Sequence, residues 1–334
     1  MSEIRFDRLR GRDVIIAPER LHRPSNTNKK EERRSQTRVC PFCEGNEALT
    51  PSEIFALRED GSFKDESGWK TRVVPNLFKA LQIEAPHQHH YGFFEYWDGF
   101  GAHEVLIDTP AHTTSMTQWS EQNVLDWLTT LQHRVLDLQK DSRIVSIIIF
   151  KNEGSFAGAT QPHCHTQLIG LPLIPKAKKE EYKNLHEHFS ATNKALMAFM
   201  IEEEQAAQSS RIIAEHGEFI AFCPFAAAHP FEVMISSHKA LGELDRLSTE
   251  SLESIGILLL QILKKLKKVL GELAFNLSLS TPPLQQERVY EASRFYITIT
   301  PRIYSYGGFE LESQIFINPV APEMSAKLLR EVQI

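Results

Sequence analysis

The order of elements in this chain is written twice, and that duplication limits the possible folds more than any other feature. "HEVLIDT" (103–109) is answered by "FEVMISS" (231–237), with Glu104, Val105, Ile107 and Ser120 recurring as Glu232, Val233, Ile235 and Ser248, each 128 positions later. In both copies a strand pattern leads through a serine N-cap into a helix with apolar residues at helical spacing. A strand follows each helix, "RIVSIIIFKN" (143–152) and "AFNLSLS" (274–280). A last strand closes each copy, "QPHCHTQLIG" (161–170) and "SRFYITITPRI" (293–303), aligned at an offset of 131. Similarity at a near-constant offset, with the element order kept, is the mark of an internal duplication. The chain of 334 residues is also longer than one core usually organises. The reading is two units, 1–180 and 181–334, bridged by a helix over about 176–208.

Composition narrows the class. A hydrophobic content of 42% with 24% charged residues fits a soluble globular protein. A net charge of −6 argues against nucleic acid and membrane surfaces as partners. No apolar run approaches the roughly 18 to 20 residues of a membrane span. The start, "MSEIRFDRLRGRDV", is charged and lacks a signal-peptide core, so a cytoplasmic location is expected.

Four cysteines, Cys40, Cys43, Cys164 and Cys223, do not make a disulfide scaffold. "CPFC" has the spacing of half a tetrahedral zinc site, with His103, His112 and His163 as candidates for the remaining ligands. A redox pair and a plain turn stay open as alternatives, although Pro41 and Gly45 fit a knuckle better. Cys223 reads as a buried core thiol.

The closing strand of the first copy carries the chemistry. In an extended segment His163, His165 and Gln167 share one face. A neutral imidazole there can attack phosphorus, and a glutamine amide can donate to a phosphoryl oxygen as charge shifts. The second copy carries Arg294, Tyr296 and Thr298 instead, so the folding pattern is duplicated and the histidine chemistry is not. The glycines of "NEGSFAGAT" let backbone amides approach a phosphate, a weak signal alone. Arg20 and Arg23 in "PERLHRP" suit a phosphate dianion by their fork geometry, with a solvated pair as the plain reading. "HQHH" (87–90) reads as surface decoration in a polar loop.

Together, "PERLHRP", "CPFCEGNE", "RVVPNLFKAL", "HEVLIDTPAH", "FKNEGSFAGATQPHCHTQ" and "GGFELESQIFIN" resemble the galactose-1-phosphate uridylyltransferase family, a branch of the histidine-triad superfamily. The resemblance implies an α+β fold of two tandem histidine-triad-like domains, each an antiparallel half-barrel sheet with outer helices. It implies a ping-pong reaction in which His165 takes a nucleotidyl group from a nucleotide-sugar and passes it to a sugar phosphate, with Gln167 orienting the phosphoryl oxygens. Asn76, Asn152 and Thr160 would contact the nucleotide, and Arg20, Arg23 and Glu310 the sugar phosphate. One structural Zn2+ would be held by Cys40, Cys43, His112 and His163, and a homodimer is implied. The chain departs from the usual His-Pro-His-Gly-Gln by reading His-Cys-His-Thr-Gln over 163–167. Its small intervening residues resemble the His-Ser-His-Ser-Gln of ADP-glucose phosphorylases. UMP transfer between UDP-hexose and hexose 1-phosphate is thus the first expectation. AMP transfer to phosphate is the second, and a non-catalytic nucleotide-binding module the third. Ser280, Arg294 and Tyr296 stand where some family members place histidines for a second metal; with only Glu181 matching, no second metal is expected.

Overall fold

The computed structural model describes residues 2–22, 39–206, 211–284 and 290–334. Arg23, together with most of the polar segment before the cysteines, lies outside the described residues. The chain opens with a hairpin, β1 (Glu3–Asp7) and β2 (Arg12–Ile16). The first copy then builds β3 (Phe55–Arg58), β4 (Trp69–Pro75), a small hairpin of β5 (His89–His90) and β6 (Tyr96–Trp97), and β7 (Ala102–Ile107). Helix α1 (Glu121–Leu138), β8 (Ser146–Glu153) and β9 (His165–Leu171) complete it. Helices α2 (Lys176–Thr192) and α3 (Leu196–Ala206) lead to β10 (Ile212–His216), β11 (Phe219–Phe222), β12 (Val233–Ser237), α4 (Thr249–Leu270), β13 (Phe275–Leu279) and β14 (Tyr296–Pro301). A tail of α5 (Gly308–Ser313), β15 (Phe316–Asn318) and α6 (Pro322–Glu331) ends the chain, and β15 runs parallel to β2.

The duplication appears in the sheet. Ten strands form one antiparallel sheet in the order β10-β11-β12-β14-β13-β8-β9-β7-β4-β3. Read outward from its middle, β8, β9, β7, β4, β3 on one side mirror β13, β14, β12, β11, β10 on the other. The seam is a regular β8–β13 ladder in which Asn152 lies opposite Asn276.

Helices α1 and α4 cover one face of this sheet. Ser120 Oγ accepts the Asn123 amide at 3.1 Å and Ser248 Oγ the Ser251 amide at 3.2 Å, so both serines cap as expected. Trp127, Leu131, Leu259 and Leu263 pack with Ile147, Ile149, Leu168, Ile297 and Ile299 in a single core that crosses the seam. A buried pair ties α1 down: Arg134 Nη2 donates to Glu104 Oε1 at 2.7 Å and its Nε to Oε2 at 2.8 Å.

Three expectations need correction. The bridging helix is broken, because Asn193 adopts a left-handed conformation (φ 55°) that an asparagine tolerates and that ends α2. The histidines of "HQHH" are not loop decoration: His89 stacks on Trp97 and His90 on Tyr96 across the β5–β6 hairpin. The offset of 128 is one residue short for β7 and β12. Val105 lies opposite Gln167, and Met234 lies opposite Thr298, the counterpart of Gln167. Met234 therefore stands where Val105 does, and Glu232 takes the place of His103. In a strand such a slip exchanges the two faces, so identities at Glu104 and Glu232 did not mark equivalent positions. Among the described residues no helix is long and apolar enough to cross a membrane.

Candidate functional site

The two copies use their second sheet face differently. In the second copy it is covered: Leu9 of the N-terminal hairpin, Tyr182 and Leu185 of α2 and Leu196, Met197 and Ile201 of α3 pack on Ile220, Phe222, Met234 and Tyr296. In the first copy the cysteine knuckle sits there, with Phe42 beside Trp69, Val74, Val105 and Ile107.

Cys40, Cys43, His112 and His163 converge, with one ligand atom of each within 4.8 Å of all the others. His163 Nδ1 lies 3.6 Å from Cys40 Sγ and 3.7 Å from Cys43 Sγ, and His112 Nδ1 lies 3.3 Å from Cys43 Sγ. Tetrahedral zinc with the usual Zn–S and Zn–N bonds spaces its ligand atoms by roughly 3.6 Å, so the residues fit such an ion. His163 Nε2 sits 2.8 Å from the Thr109 carbonyl, to which it donates, leaving Nδ1 free as a ligand atom. Burial lowers the His163 pKa to about 4, keeping the ring neutral. Burial, then Cys40, push the Cys43 thiol up to about 11. His103 is not in this group.

The β9 ladder begins at His165, opposite Ile107; the residues before it bond to the turn after β7 instead, as when the Cys164 amide donates to Thr113 O at 2.8 Å. His163 thus precedes the strand, although both rings stand beside Phe42, with centroids 6.1 and 5.5 Å away. His165 Nδ1 lies 2.9 Å from the His163 carbonyl. It must donate there, which leaves Nε2 with its lone pair available. Burial lowers the pKa of His165, so the neutral ring dominates. Behind the strand, Lys151 Nζ donates to Asp108 Oδ2 at 2.7 Å and to the His165 carbonyl at 3.2 Å. Burial opposes the lysine's charge, yet Asp108 outweighs it and raises the lysine's pKa, so the ammonium stays charged. The sequence reading passed over Lys151; the available signal was a lysine at an inward position of the apolar strand "SIIIFKN".

Gln167 follows on the same face as His165. Its Oε1 lies 2.9 Å from His103 Nε2 and 3.5 Å from Asn76 Nδ2. Asn152 Oδ1 accepts from Asn276 Nδ2 at 2.8 Å, and the same amide donates to Ala157 O in the glycine-rich turn. That turn forms one wall of a cleft of about 2340 Å³ lined also by Arg20, His112, Thr160, Arg302, Tyr304 and Glu310. Burial, then Glu310, raise the Tyr304 phenol, while Arg20 opposes them. The structure therefore brings Arg20, Thr160 and Glu310 to one cleft and Asn76, His165 and Gln167 to one sheet face.

The second copy's counterpart is closed by side chains. Arg10 Nη1 meets Glu232 at 3.1 Å and its Nη2 donates to Thr298 Oγ1 at 3.2 Å. The Tyr296 hydroxyl donates to Glu181 Oε1 at 2.5 Å, and Ser280 Oγ accepts the Tyr296 amide at 2.8 Å. Arg294 donates to the carbonyls of Glu291 and Ser293.

Residues 1–175 match the family described as galactose-1-phosphate uridyl transferase, N-terminal domain. The chain is 30% identical over 338 residues to an ADP-glucose phosphorylase of Arabidopsis thaliana, covering 99% of this chain and 93% of that protein. It is 24% identical over 343 residues to a galactose-1-phosphate uridylyltransferase of Thermotoga maritima, covering 100% and 99%. The crystal structure of an Arabidopsis thaliana ADP-glucose phosphorylase with bound ADP-glucose superposes with a TM-score of 0.85 at 28% identity, over 100% of this chain and 99% of that one.

Proposed function

Because the chain belongs to the galactose-1-phosphate uridyl transferase family, we propose that it is a nucleotidyltransferase working through a covalent nucleotidyl-histidine on His165. The observation that carries this is the His165 tautomer: Nδ1 is committed to the His163 carbonyl, so the lone pair of Nε2 is left available for attack. In the first half-reaction Nε2 forms a bond to the α-phosphorus of a nucleotide-sugar as the bond to the sugar 1-phosphate oxygen breaks. In the second, a phosphate oxygen of the acceptor attacks that phosphorus and the P–N bond breaks. Gln167 donates its amide N–H to the phosphoryl oxygens, where a preorganised donor acts on developing charge. Asn76, Asn152 and Thr160 are the nucleotide contacts. Arg20 and Glu310, with Arg23, serve the phosphate-bearing sugar. Cys40, Cys43, His112 and His163 would hold one Zn2+, which supplies structural anchorage next to the nucleophile. With the chain divided into 1–180 and 181–334, a boundary that falls within α2, His165, Gln167 and the metal ligands belong to the first unit and Glu310 to the second.

Relatedness over nearly the whole chain to an ADP-glucose phosphorylase favours ADP-glucose as donor and inorganic phosphate as acceptor. The uridylyl reading, UDP-hexose with hexose 1-phosphate, is carried by the match over residues 1–175. A cytoplasmic homodimer completes the proposal, and the exposed aromatic turn of Tyr91, Phe93 and Phe94 offers apolar surface for association. The test is incubation with ADP-glucose or UDP-glucose labelled at the α-phosphate, with no acceptor. An acid-labile protein label from one donor, absent in His165→Ala, is expected. Wild-type protein that takes label from neither refutes the covalent route.

A further inference from the structure

The hydrogen bonds around His103 give that residue a task beyond the proposed reaction scheme. Its Nδ1 receives the backbone amide of Ala80 at 3.0 Å. A backbone N–H can only donate, so Nδ1 carries no proton and Nε2 does. Nε2 faces the Gln167 carboxamide at 2.9 Å, and as a donor it can meet only the oxygen of that group. The Gln167 amide is thereby fixed with Oε1 toward His103 and its NH2 directed away from it.

Asn76 repeats the logic. Its Oδ1 accepts the Phe78 amide at 2.9 Å, so its NH2 turns toward the same Gln167 oxygen at 3.5 Å. The two donors stand 3.0 Å apart, converged on one acceptor. Two backbone amides of the "NLFKA" turn thus set the orientation of a side chain on another strand. An unheld glutamine amide can turn end for end, presenting a repulsive oxygen to a phosphoryl group in place of a donor.

The duplicated copy supplies an independent observation. Where the first copy has His103 and Gln167, the sheet register places Glu232 and Thr298, and these are spanned by Arg10. The histidine–glutamine pair occurs in the copy that carries His165, and its counterpart is an ion pair that fills the same space.

We propose that His103 is a positioning residue that holds the Gln167 amide with its N–H groups toward the transferring phosphoryl group. This rests on the reading of His165 as nucleophile. The experiment is the single-turnover rate of nucleotidyl-enzyme formation from the α-labelled donor that labels the wild type. His103→Leu removes the donor and His103→Glu replaces it with an acceptor, whereas His103→Gln keeps an N–H at similar reach. The first two should slow the step on the order of ten- to a hundredfold, with little change in the donor concentration at half-maximal rate. His103→Gln should restore most of the rate. Adding His103→Leu to Gln167→Ala should cost nothing further, since the partner is already gone. If His103→Leu does not fold, the contrast between the Glu and Gln variants decides. Wild-type rates in the Leu or Glu variant, equal losses in Glu and Gln, or additive losses with Gln167→Ala would overturn the proposal. Absence of label in the wild type would instead remove the nucleophile reading beneath it.

Discussion

Glu243 gives the sharpest test of how burial shapes this molecule. It is 4% exposed, and its Oε2 has no hydrogen-bond partner among the described residues. Burial pushes its carboxyl up from 4.5 to about 7; Asp245 and Glu181 add to the shift, and Ser293 and Lys178 oppose it. Arg294 also lies within reach of its charge. Below 4.5 both the folded and the unfolded chain hold the proton, and the residue costs nothing. As pH rises from there to about 7 the unfolded chain ionises while the folded one does not, so stability falls; above that the loss is complete. At 1.36 kcal/mol for each pK unit, the loss is about 3 kcal/mol. Glu243→Gln keeps the shape and abolishes the ionisation. Urea unfolding of both proteins at about pH 4.5 and about pH 8.5 should show the variant gaining relative stability with pH, by up to about 3 kcal/mol. Groups that do not interact with Glu243 titrate alike in the two proteins, so the difference reports Glu243 together with the neighbours coupled to it, Asp245, Glu181, Lys178 and Arg294. A gap that does not change with pH would refute the argument.

Two further outcomes follow from the core and the knuckle. Arg134→Met should cost about 3 to 5 kcal/mol in urea unfolding, because it strands the buried Glu104 carboxylate, and adding Glu104→Leu should recover much of the loss. Purified protein should contain zinc near one per chain by elemental analysis; Cys40→Ser should lose it and melt at lower temperature, while a metal-free, equally stable wild type would rule out a folding-linked ion.

The sequence alone disclosed the duplication, the two serine caps and the cysteine pair of the knuckle, because each is local or repeats with a period; the two histidines that join the pair lie far along the chain and were named through the family resemblance. It did not disclose the role of His103. Matching Glu104 to Glu232 is the better fit of letters, but hydrogen-bond register decides which residues are equivalent, and register is a property of paired strands. Arg10 reaching Glu232 was equally hidden, since no local pattern says where an N-terminal hairpin will dock. The break at Asn193 was readable in principle, from an asparagine followed by lysine in a polar stretch, but helical composition on both sides masked it. His163 preceding the strand came from bonds to the Thr109–Thr113 turn, which spacing along the chain does not encode.

The seam between β8 and β13 also bears on how the molecule could be taken apart. Each copy ends its own half of the sheet in a strand whose free edge is satisfied by the other copy. Severed between α3 and β10, the two fragments would each carry an unpaired edge, the feature that drives strand-to-strand association. Their best-matched partner is the other fragment, since the shared core of α1 and α4 closes over the same line. The chain is thus suited to fragment complementation: two inactive pieces, mixed, should rebuild one sheet, and with it the face that presents His165.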